Sequence, residues 1–85
     1  MSGDDGERMT IARIQAARGA LWQLLVLEEQ GLDGCYRASI IDERAEQNLR
    51  TYLSLGMTPE QIAAEARERH DQLLAALRAA KQRRG

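Results

Sequence analysis

The sequence predicts an all-α fold: a three-helix bundle with an N-terminal helix over 10–30 and an antiparallel helical hairpin over 39–82, completed by oligomerisation. Three observations lead there. Apolar residues recur at three- and four-residue spacing over long stretches, with no strand-like alternation. Aromatic residues, which strands favour, make up only 4% of the chain and include no Phe. The third observation is the run Leu55-Gly56-Met57-Thr58-Pro59-Glu60-Gln61-Ile62, a helix stop followed at once by a helix start. Gly56 suits the left-handed position that closes a helix. Thr58 caps the next helix, and Pro59 fits its first turn, where an N–H would have no partner. Gln61 completes a Thr-x-x-Gln capping box, and Met57 is placed to staple onto Ile62.

In chain order, residues 1–8 read as a disordered tail, small and acidic with no apolar partner, and 9–85 as a single helical domain. The first helix carries Ile11, Ile14, Leu21 and Leu25 on one stripe, widened by Ala17 and Leu24 on one side and by Trp22 and Val26 on the other. Met9, Ala16, Ala20 and Leu27 form a thinner second stripe. From Ala20 to Leu27 only Gln23 is polar, so this end of the helix demands burial on several sides. Two companion helices are not expected to supply that, which implies a second subunit or a larger partner. Gly31 ends the helix and Asp33-Gly34 supplies turn chemistry. Ser39 followed by Asp42 reads as the start of the second helix, whose face is Ile41, Ala45, Leu49, Tyr52 and Leu53. The third starts at Pro59 with the face Ile62, Ala66, Leu73, Leu77 and Ala80, and its last turns are basic, which suits the negative pole of the helix dipole.

A chain of 85 residues makes one domain with a small core, burying about 60–65% of the surface exposed when unfolded. Cys35 is the only cysteine, so no disulfide framework supports it, and good helix packing or association must do so. Twelve basic residues stand against thirteen acidic ones, a net charge of −1, where a dedicated nucleic-acid binder is usually basic. Residues 28–46 are mainly acidic, whereas the last eight hold Arg78, Lys81, Arg83 and Arg84 with no acid, so middle and end are complementary within a chain or between chains. Every basic residue but Lys81 is Arg, the side chain that forms bidentate pairs. No signal peptide is visible, and the longest apolar run, Leu24–Leu27, is far below the ~20 residues that span a bilayer. A cytoplasmic location and no membrane association are the expectation.

No residue set demands a cofactor, a metal or catalysis, and none of the three is expected. His70 falls inside the apolar stripe of the third helix, where it is either a polar stripe or core residue that hydrogen-bonds a neighbour or reaches the rim, or a switch whose charge changes near neutral pH. Cys35 is read as an ordinary thiol, because its activation would need a nearby base. The carboxylates at 28, 29, 42, 43 and 46 lack the spacing of a cation loop. Trp22, on the flank of an already sufficient stripe, is the favoured contact residue, since Trp is enriched at interface hot spots. With Leu21, Leu25 and Val26 it makes the expected protein interface.

The stretch Leu53-Ser54-Leu55-Gly56-Met57-Thr58-Pro59-Glu60-Gln61-Ile62-Ala63-Ala64-Glu65-Ala66 resembles the first half of a bacterial helix-turn-helix, and Leu73 and Leu77 fall where a recognition helix places core residues. The resemblance implies DNA binding, with Arg78, Arg83 and Arg84 as contacts. It departs from the pattern at the turn, where Arg67, Glu68 and Arg69 are all helix-compatible, and at the recognition face, which offers Gln72, Ala75 and Ala76. The first expectation is therefore a non-enzymatic helical interaction module, an adaptor, inhibitor or regulator that forms a homodimer or higher oligomer. A DNA-binding regulator with a degenerate helix-turn-helix is the alternative, and a small helical enzyme built on His70 or Cys35 the third.

Overall fold

The computed structural model describes residues 3–32 and 38–84, with side chains for 9–32 and 38–83. Among them are three helices, α1 (Gly3–Gln30), α2 (Ala38–Ser54) and α3 (Pro59–Arg84), and no strand. The all-α three-helix bundle is as expected; its boundaries differ at the starts of α1 and α2 and at the end of α3, which runs to Arg84 and not 82. α1 begins at Gly3, so the expected tail is helical from residue 3 onward. Once a helix is nucleated each further residue adds a bond at little cost, and no proline stands before Thr10 to stop it. α2 begins at Ala38, one residue before the expected cap Ser39. The turn at Asp33-Gly34 and Cys35 lie outside the described residues.

Both described helix stops use glycine at positive φ. At the end of α1, Gly31 has φ 66° and its N–H bonds the Leu27 carbonyl at 2.9 Å. At the end of α2, Gly56 has φ 90°, its N–H bonds the Leu53 carbonyl and the Met57 N–H bonds the Tyr52 carbonyl, both at 3.1 Å. These two bonds make a Schellman stop. The following start is the capping box in full: the Thr58 N–H donates to Gln61 Oε1 at 2.9 Å, and the Gln61 N–H donates to Thr58 Oγ1 at 3.1 Å.

Contacts between the helices set their directions. Arg18 pairs with Glu46 and Trp22 with Asp42, so α1 advances four residues as α2 retreats four, and the two are antiparallel. Arg13 pairs with Glu60, while Leu24 and Glu28 share a groove with Arg69 and Leu73, so α1 and α3 run parallel. α1 is the central element: it packs most extensively against α3 and next against α2, whereas α2 and α3 touch least. With Glu28 beside Leu73, α3 passes the end of α1 near residue 75. Its last nine residues then reach about 14 Å further at 1.5 Å per residue. The offset gives an elongated molecule of 59 × 24 × 22 Å with a radius of gyration of 15.3 Å, against about 12 Å for a sphere-like domain of this length.

The core draws on all three helices. Ala17, Leu21, Leu24 and Leu25 of α1 meet Ile41, Ala45 and Leu49 of α2 and Ile62, Ala63 and Ala66 of α3. Alanines at 17, 45, 63 and 66 are what let the axes come close. Tyr52, Leu53 and Met57 pack at the margin and close the lower end of the cluster.

Candidate interaction surfaces

The expected contact patch separates into two kinds of residue. Leu21 is 2% and Leu25 7% exposed, both in the core of a single chain. That corrects their assignment to an interface. The apolar end of α1 is covered by α2 on one side and α3 on the other, and Ala20, Leu24 and Leu27 are buried with it. No second subunit is required to cover this stretch. Trp22 and Val26 are half-buried against the core margin. The Trp22 indole Nε1 donates to Asp42 Oδ1 at 2.8 Å, so the ring ties α1 to α2. The same bond engages the carboxylate of the Ser39–Asp42 pair that was read as the start of α2.

His70 stands at the rim of α3 and not in the core, its side chain 28% exposed and its Nδ1 3.3 Å from Asp71 Oδ1, so of the two stripe readings the rim fits and the core does not. No described polar residue is buried. α3 is continuous from Pro59 to Arg84, so the turn that a helix-turn-helix needs at 67–69 is absent and the recognition helix does not exist as a separate element. Arg78 and Arg83 lie exposed on the projecting end of α3; of Arg84 only the backbone is described. The uninterrupted helix agrees with the helix-compatible residues at 67–69.

Ion pairs lace the outside of the bundle. Arg44 of α2 pairs with Glu29 in the last turn of α1, where an acid would otherwise face the negative helix pole. Arg13 grips both carboxylate oxygens of Glu60, one through Nε and one through Nη2, and so pins the start of α3 to α1. This hydrogen-bonded contact holds the Glu60 carboxyl below its ordinary value and raises the Arg13 guanidinium. Beside this clamp runs an open groove of about 310 Å³, floored by Ala12, Ala16, Pro59 and Ala63 with Arg67 at its rim. A second open groove, about 390 Å³, lies between Leu24 and Glu28 of α1 and Arg69 and Leu73 of α3.

The apolar surface that remains uncovered gathers at the two poles, which the wheel of α1 alone did not indicate. At one pole stand Met9 at 65%, Ile11 at 55% and Leu55 at 72% exposure. At the other stand Leu32 and Ile40, together with Leu73, Leu74 and Leu77, which remain half-buried where α3 outruns its neighbours. The described residues hold no group of His, Cys, Asp and Glu side chains able to bind a metal ion, and no helix long and apolar enough to cross a membrane. Compared with protein families, with curated proteins and with solved structures, the chain has no match.

Proposed function

We propose that this chain is a small non-enzymatic interaction module of the cytoplasm, an adaptor, inhibitor or regulator of a larger protein that also self-associates. The supporting observation is the distribution of uncovered apolar side chains. A bundle that buries its core within one chain still leaves Met9, Ile11 and Leu55 more than half exposed at one pole. Large apolar side chains grouped at an end of a molecule are the ordinary material of a protein contact. The grooves along α1 and α3 are open, one lined by alanines and charged residues and the other by Leu24, Leu73 and polar residues, a shape that suits another helix better than an enclosed small molecule.

The test is affinity capture of the tagged chain in its native host, read quantitatively beside an Ile11→Ser/Leu55→Ser variant. A partner in near-stoichiometric amount that the variant loses is the expected result. Equal recovery by both chains, or no partner above background, counts against the polar apolar-cluster reading.

A further inference from the structure

No further inference is drawn: the strongest candidate, the surface patch on the projecting end of α3 where half-buried Leu74 and Leu77 stand beside exposed Arg78 and Arg83, carries nothing because nothing in the structure shows what covers it.

Discussion

Single residues carry the joints of this fold, and Gly56 is the plainest case. Its φ of 90° lies in the region that L side chains rarely adopt, and a Cβ placed there would meet nothing within 4 Å. The cost of a substitution is therefore backbone strain alone. Gly56→Val is expected to lose about 1–2 kcal/mol and Gly56→Asn less, because Asn tolerates left-handed backbone. Denaturant unfolding of both variants checks this, and equal stability of Val and Gly would remove the account of the α2 stop. Trp22 is the second case. The sequence marked it as a contact residue; the structure makes it a tie between helices through Asp42. Trp22→Phe keeps the ring and drops the indole donor, for an expected loss of about 1 kcal/mol. Trp22→Ala is expected to cost about 2–3 kcal/mol, below the range for a fully buried Trp because the side chain is only partly buried. In a double-mutant cycle the Trp22→Phe loss should shrink when Asp42 is already Ala. Losses that simply add would mean that the bond contributes nothing.

At the scale of elements, the α2–α3 joint was fully legible because its determinants are local: Gly56, Thr58, Pro59 and Gln61 act within a few residues of one another. What the joint does not reveal is which helices pack. Chain neighbours α2 and α3 touch least, and the main partner of α3 is α1. Nor does a wheel of α1 tell how much of it two neighbours cover, which is why Leu21 and Leu25 read as interface residues and lie in the core. The preference for Arg was legible as a taste for bidentate pairs, but not that Arg13 would spend it on Glu60 across 47 residues of sequence. That clamp carries a pH signature. Glu60 titrates below its ordinary value of 4.5 in the folded chain, chiefly through the Arg13 hydrogen bond. A carboxyl lowered on folding lends stability that is complete above its unfolded value and is lost as pH falls through the folded one. The pair is exposed, so the effect is small. Thermal melts of wild type and Glu60→Gln should thus differ near neutral pH and converge as the pH drops below 4.5, while a difference that persists unchanged into acid would show that the clamp acts through something other than the Glu60 charge.

Over the whole molecule, stability is unevenly shared because α1 is bound on two sides and α2 on one. α2 is attached to α1 by Ile41, Ala45 and Leu49, by the Trp22–Asp42 bond and by exposed ion pairs at Glu46 and Arg44, with little support from α3. α1 and α3 instead meet along most of their overlap, from Arg13–Glu60 to Glu28–Leu73, with Ile62 and Ala66 buried between. Detaching α2 breaks one interface and leaves the longer one intact, so the lowest-cost large opening of the bundle is the release of α2 with α1 and α3 still paired. Local unfolding of this kind sets amide exchange. Native-state hydrogen exchange should therefore find the most protected amides of α2, around Ala45–Leu49, exchanging faster than those of α1 around Leu21–Leu25 and of α3 around Ile62–Ala66. The gap should close in denaturant as global unfolding takes over. Uniform protection across the three helices would instead mean that α2 leaves only when the entire bundle opens, and that the weak α2–α3 contact is no weak point.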